Sequence, residues 1–144
     1  MKIKYQLLTP TAVPPQKMTE HSAGWDLSAD LPEPVLLNPL SRLAIPTGLA
    51  LELPQGYEAQ VRPRSGLALN LGLGVLNGPG TIDSDYRGEV KVILFNISEE
   101  AVLIQPGMRI AQLVVAPVTA CGFEETESLA DTERSGGGFG STGH

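Results

Sequence analysis

Apolar and polar residues alternate with period two along much of the chain. Over residues 2–8, Ile3, Tyr5 and Leu7 alternate with Lys2, Lys4 and Gln6, the pattern of a half-buried strand. Shorter apolar runs follow at 35–37, 42–45 and 48–53, cut by Asn38-Pro39, Pro46 and Pro54-Gln55-Gly56. Residues 57–62 alternate again. The run 89–97 is long and apolar and reads as a buried strand; 102–104 and 109–115 follow it, with turns at Glu99-Glu100 and Pro106-Gly107. Many short strands at close spacing predict an all-β sandwich or barrel. There is no internal repeat.

Some stretches break or interrupt this pattern, and they carry the candidate chemistry. In Arg62-Pro63-Arg64-Ser65-Gly66-Leu67-Ala68-Leu69-Asn70, Ser65 is the expected N-cap, 67–71 are helix formers and Gly72 is the left-handed stop. The helix start presents free amides, a hydroxyl and Arg64, which suits phosphate; a capped helix with a surface arginine is the plainer reading. Residues 74–80 read as a hairpin turning on Asn77-Gly78. Its backbone suits the edge of a flat heterocycle, although Asn-Gly is more often only a turn. In 22–30, a short strand, Asp26 lies between Trp25 and Leu27, where a carboxylate is costly unless bonded. It either bonds nearby amides or orients an arginine or a hydrated metal ion. Gln112 is the polar residue of an apolar run and needs partners, as a structural bridge or a ligand contact. Gly80-Thr81-Ile82-Asp83-Ser84-Asp85-Tyr86-Arg87-Gly88 packs two carboxylates, a ring and a guanidinium into a turn before a strand, where a scaffold holds polar groups in place. A simple Asx turn is the alternative.

Composition narrows the classes. A chain of 144 residues suits one domain with a real core. The lone Cys121 excludes an intramolecular disulfide and fits a reducing, cytoplasmic setting. The N-terminal alternation lacks the apolar run of a signal peptide, and no stretch suits a bilayer. A net charge of -6 argues against broad nucleic-acid binding. Twelve prolines and sixteen glycines interrupt the chain too often for long helices. The expected β core ends near residue 120. Residues 121–144 form an acidic linker, with five acids between 124 and 133, and then a flexible Gly-rich arm. That arm carries Arg134, Phe139, Gly140, Ser141 and Thr142; its glycines would let amides approach phosphates closely, and its ring could stack on a base.

Five clusters in order give a specific match. Ala23-Gly24-Trp25-Asp26-Leu27, Pro63-Arg64-Ser65-Gly66-Leu67-Ala68, residues 80–88, Gly107-Met108-Arg109-Ile110-Ala111-Gln112-Leu113 and residues 134–143 together resemble the motifs of the homotrimeric dUTPase family. The resemblance implies a jelly-roll-like β fold and hydrolysis of dUTP to dUMP and pyrophosphate, which keeps uracil out of DNA and supplies dUMP for dTMP synthesis. It makes Asp83, the acid following Ile82, the base that activates water. Tyr86 would pack under the deoxyribose and the Asn77 hairpin would read uracil. Arg64, Ser65 and Gly66 would hold phosphates with help from Gln112, while Thr81, Ile82 and Lys91 line the same pocket. Arg134 and Phe139 would close from the arm, with Gly140, Ser141 and Thr142 near the terminal phosphate. Each site would draw on three subunits. Trp25 occupies a variable position of the first motif.

The chemistry agrees with that assignment: a positioned water, a base and charge neutralisation are what attack on the α-phosphorus needs. With two histidines and one cysteine, the expected cofactor is Mg2+ held by substrate phosphates and waters, with Asp26 reaching it through water. The rivals are a dCTP deaminase of the same fold, whose serine-arginine motif is absent here, and a non-catalytic trimeric nucleotide-binding module.

Overall fold

The computed structural model describes residues 1–138. Ten strands and one helix appear among them: β1 (Lys4–Leu7), β2 (Trp25–Ser28), β3 (Val35–Leu37), β4 (Arg42–Glu52), β5 (Tyr57–Arg62), α1 (Ser65–Leu71), β6 (Leu73–Val75), β7 (Gly80–Ile82), β8 (Glu89–Asn96), β9 (Val102–Ile104) and β10 (Arg109–Pro117). One antiparallel sheet has the order β1-β4-β8-β6 and another the order β2-β10-β5-β7; β3 and β9 pair separately. Their inner faces share one core, including Leu27, Ile45, Leu49, Val61, Leu94, Ile104 and Leu113. This is the expected all-β, jelly-roll-like sandwich with one short helix.

Alternation is realised unevenly. In β8, Val90, Val92, Leu94 and Asn96 are buried, while the intervening residues are exposed or half-buried. The apolar run is therefore half-buried rather than buried throughout. β1 is shorter than its pattern and all its residues are exposed. It is an edge strand paired only with β4, where Lys4 lies opposite Glu52. The Lys4 ammonium, 2.8 Å away, holds the Glu52 carboxyl below its ordinary range.

Pro46 does not divide two strands. β4 runs through it: Pro46 stays in register opposite Lys91, and a bulge between Pro46 and Leu49 takes up Thr47 and Gly48. Gly48 takes the left-handed conformation there at φ 63. The buried Thr47 hydroxyl donates to the Val90 carbonyl at 2.5 Å, so the side chain the bulge buries is paired.

The largest correction concerns residues 74–80. β6 pairs with β8 and β7 with β5, so the segment through Asn77-Gly78 is no hairpin but a crossing between sheets. Local turn propensity fits both outcomes; the partners are supplied by distant strands.

Buried Asn96 closes the far end of β8. Its amide donates to the Leu37 and Glu100 carbonyls at 3.1 and 2.8 Å, and its oxygen accepts from the Ser98 amide and hydroxyl at 2.8 and 2.7 Å. A polar side chain this deep is tolerated because both ends are satisfied.

Candidate active site

The predicted site residues of the β core fall into two separate recesses. The first, of about 500 Å3, is lined by Asn77, Thr81, Ile82, Asp83, Tyr86 and Lys91, with Val61, Glu89 and Ile93 behind them. β7 and β8 supply most of its walls. Asn77 enters from the crossing segment, and its amide lies close to Gly80, where a Cβ would stand 3.0 Å from the nitrogen. Tyr86 is held by its own turn: its amide donates to the Asp83 carbonyl at 3.2 Å and its hydroxyl to the Glu89 carbonyl at 3.0 Å. The Lys91 ammonium is 3.5 Å from the Glu89 carboxylate, whose other oxygen accepts from the Gly48 amide at 3.0 Å.

The second recess, of about 380 Å3, is lined by Asp26, Arg64, Ser65, Gly66 and Gln112, with Met18, Ser22, Ala23 and Gly24. Register brings these together: Gln112 on β10 is the cross-strand partner of both Asp26 on β2 and Arg62 on β5. Asp26 does orient an arginine. Its Oδ1 accepts from Arg64 Nε at 3.2 Å and its Oδ2 from Arg109 Nη1 at 3.0 Å. Arg64 Nη1 donates in addition to the Arg109 carbonyl at 3.1 Å. One carboxylate with two guanidiniums leaves a local excess of positive charge in an acidic chain. Gln112 is a bridge, its amide donating to the Pro63 carbonyl at 2.9 Å. Its side chain packs on Gly24, where a Cβ would meet Gln112 Cδ at 3.1 Å.

The helix start differs from expectation by one residue. Arg64 takes the cap position with an extended backbone and no capping side chain, and Ser65 is the first helical residue. From that position the Arg64 guanidinium reaches Asp26 and the Arg109 carbonyl. Gly72 does end it, at φ 64.

Between them the two recesses have no lining residue in common. Asp83 also lines a third, wider recess with Tyr57, Glu58, Ser84, Asp85 and Pro117, so its exposed carboxylate stands on the ridge between that space and the Tyr86 side. Arg134 lines none of these recesses; its Nε donates to the Gly137 carbonyl within its own turn at 2.9 Å. Phe139, Gly140, Ser141 and Thr142 lie outside the described residues. Among the described residues no cluster of three or more acids, histidines or cysteines could cage a metal ion.

Sequence reading gave no role to Arg109 or Glu89. Glu89 carries no pattern signal, being the first residue of a strand. Arg109 carries one: the adjacent apolar pair Ile110-Ala111 breaks strict alternation, and both are buried.

These features can be set against known proteins. A family model described as dUTPase matches residues 11–143. The deoxyuridine 5'-triphosphate nucleotidohydrolase of Cytophaga hutchinsonii is 57% identical over 129 residues, covering 90% of this chain and 84% of that protein. That of Roseobacter denitrificans is 52% identical over 145 residues, covering 99% and 95%. Among solved structures, the dUTPase of Staphylococcus bacteriophage 80alpha with dUPNHPP superposes with a TM-score of 0.85 at 26% identity, covering 99% of each chain. With a family model spanning nearly all of it and relatives above half identity along most of their length, this chain belongs to the dUTPase family.

Proposed function

We propose that the chain hydrolyses dUTP to dUMP and pyrophosphate by in-line attack of water on the α-phosphorus. The observation that carries this is Asp83, an exposed carboxylate at the edge of a recess whose other walls present Tyr86 and Asn77. A base there, within reach of a sugar-phosphate lying along Tyr86, is what water activation requires. Asp83 takes the proton of the attacking water, Tyr86 packs under the deoxyribose, and the Asn77 segment reads the uracil edge. Thr81, Ile82 and Lys91 complete that wall. Arg64, with the Ser65 and Gly66 amides, binds phosphate oxygens, and Gln112 holds the Pro63–Arg64 backbone in place. Arg134 and Phe139, with Gly140, Ser141 and Thr142, close over the nucleotide from the arm.

The donor set fits Mg2+ carried in by the phosphates. Among the described residues the phosphate-side recess has a single carboxylate, Asp26, and both its oxygens already accept from arginines. Such a carboxylate reaches a hydrated ion through water rather than as a ligand. When bound, the ion neutralises charge on the phosphates.

The site is completed between copies of the chain. The nucleoside-side and phosphate-side recesses are separate on one chain, which favours a homotrimer in which each site takes one recess from each of two neighbours and the arm from the third. We take 1–120 as the core and 121–144 as linker and arm, and the working compartment as the cytoplasm. No described helix is long and apolar enough to cross a membrane. The test is pyrophosphate release from dUTP, dCTP, dTTP and UTP in parallel. Release from dUTP alone supports the reading, dUTP appearing from dCTP would make the chain a deaminase, and no turnover with retained binding would make it a nucleotide-binding module.

A further inference from the structure

Arg109 lies where regular strand geometry would not put it. In β10, Gln112 pairs with Asp26 and Ala111 with Leu27, but Arg109 pairs with Ser28, because a bulge lies between Arg109 and Ala111. In an unbroken strand, residues three apart point to opposite faces, so Arg109 would face away from Gln112. The extra residue reverses this. Ile110 and Ala111 are both buried, and Arg109 emerges on the face of Asp26, Ser28 and Gln112.

Arg64 is then gripped twice through Arg109. The Arg109 side chain donates from Nη1 to Asp26 Oδ2, leaving Oδ1 to accept from Arg64 Nε; the Arg109 carbonyl accepts from Arg64 Nη1. The Asp26 side chain is only 11% exposed and that of Arg64 25%. With Nε and Nη1 occupied, Arg64 has its Nη2 edge left for an anion among the described residues. An arginine fixed in this way loses little further freedom when a phosphate arrives. The Met18 thioether packs against the same Arg109 nitrogen, a weak acceptor that does not compete with the carboxylate.

We propose that Arg109 is a positioning residue for phosphate binding, acting through Asp26 to hold Arg64, and that the β10 bulge is what delivers it. The inference rests on the dUTP-hydrolysing reading of the site. It places Asp26 in the role of anchor, with Arg109 as its second clamp.

Arg109→Gln removes the charge and keeps a donor; Arg109→Lys keeps the charge. In Arg109→Gln, affinity for the α,β-imido analogue of dUTP falls about tenfold, the size expected for one charge-assisted hydrogen bond. Inhibition by deoxyuridine, which has no phosphate, is unchanged, and Arg109→Lys recovers part of the loss. In an Asp26→Asn background the further effect of Arg109→Gln vanishes, since the relay is already broken. In the ligand-free protein the Arg64 Nε–H resonance moves toward its exposed, fast-exchanging position in Arg109→Gln. Additive losses in the double variant, or an unmoved Arg64 resonance, would overturn the relay. An equal loss of deoxyuridine binding would make Arg109 merely structural. The resonance is read without nucleotide, so a wild-type protein that fails to bind dUTP refutes the proposed function while this test still stands.

Discussion

The ring of Tyr86 lies directly against the backbone of Gly88: a Cβ at Gly88 would stand 2.6 Å from Tyr86 Cζ and 3.0 Å from Cε2. The glycine is there for space rather than for an unusual backbone angle. With the hydroxyl tied to the Glu89 carbonyl, the phenol end of the ring is held between that carbonyl and Gly88.

On the proposed function, that clamp would make Tyr86 a rigid wall for the sugar. A wall that merely lacks a partner for a hydroxyl discriminates about 100-fold, whereas a ring that cannot move excludes it by overlap. Tyr86→Ala raises turnover of UTP relative to dUTP, and Gly88→Ala does the same with the ring still present, by pushing it out of place. The measurement is kcat/KM for both nucleotides. A dUTP/UTP ratio that stays within about threefold of wild type in both variants removes Tyr86 from the role of sugar gate.

Asp83→Asn keeps the shape of the ridge and removes the proposed base. Turnover should fall by about 100- to 10,000-fold, the range for loss of a general base, with nucleotide affinity kept within about tenfold. Single-turnover assays and calorimetric binding separate the two. Substantial residual turnover would transfer the role, with Asp85 the first suspect because it shares the wider recess with Asp83.

How much of this was legible beforehand depended on whether the deciding contact was local. Residues 57–62 alternate without interruption, 102–104 are a short apolar run, and both are strands with those bounds. Gly72 marked the end of the helix because left-handed geometry is written in the residue itself. Pro46, Asn77-Gly78 and Arg109 are different. Whether Pro46 ends a strand depends on β8, which tolerates a bulge opposite it. Whether Asn77-Gly78 makes a hairpin depends on β5 and β8 claiming the flanking strands. Arg109 changes face because of a bulge against β2. The candidate residues themselves were named from motifs, but their division between two recesses is a property of the sheets and has no sequence signal.

Asn96 makes a test of the scaffold apart from the chemistry. Asn96→Ala takes a donor from the Leu37 and Glu100 carbonyls and the acceptor from the Ser98 amide, while the Glu100 carbonyl keeps the Ser98 hydroxyl. The loss should be about 2–4 kcal/mol, combining unpaired buried groups with a small cavity. Urea unfolding should show a lower midpoint with an unchanged slope. A shift below about 0.5 kcal/mol would mean that water replaces the side chain without cost.

The arm is predicted to serve catalysis and not stability. Among the described residues, the Arg134 side chain donates only to Gly137 in its own turn. Deleting residues 134–144 should leave the melting temperature within about 2 °C, a change well under 1 kcal/mol, while turnover collapses. A folded truncation with full activity would refute the role of Arg134 and Phe139 in closure.

The separation of the two recesses gives the sharpest test of how the enzyme is assembled. Arg64→Ala removes the phosphate half of a chain and leaves its Asp83 half intact; Asp83→Asn does the reverse. If each site lay within one chain, every site in a mixture would carry one lesion, and mixing would recover nothing. If sites form head-to-tail between neighbours in a ring, some pair an intact Arg64 from one chain with an intact Asp83 from the next. Random co-assembly after unfolding and refolding at equal amounts makes about one site in four intact, so activity should return to about a quarter of wild type. Both parents must be shown inactive alone, and mixing without unfolding serves as the control for subunit exchange. Activity that stays at the parental level after verified co-assembly would place both halves of the site on one chain, and the shared-site reading would be abandoned.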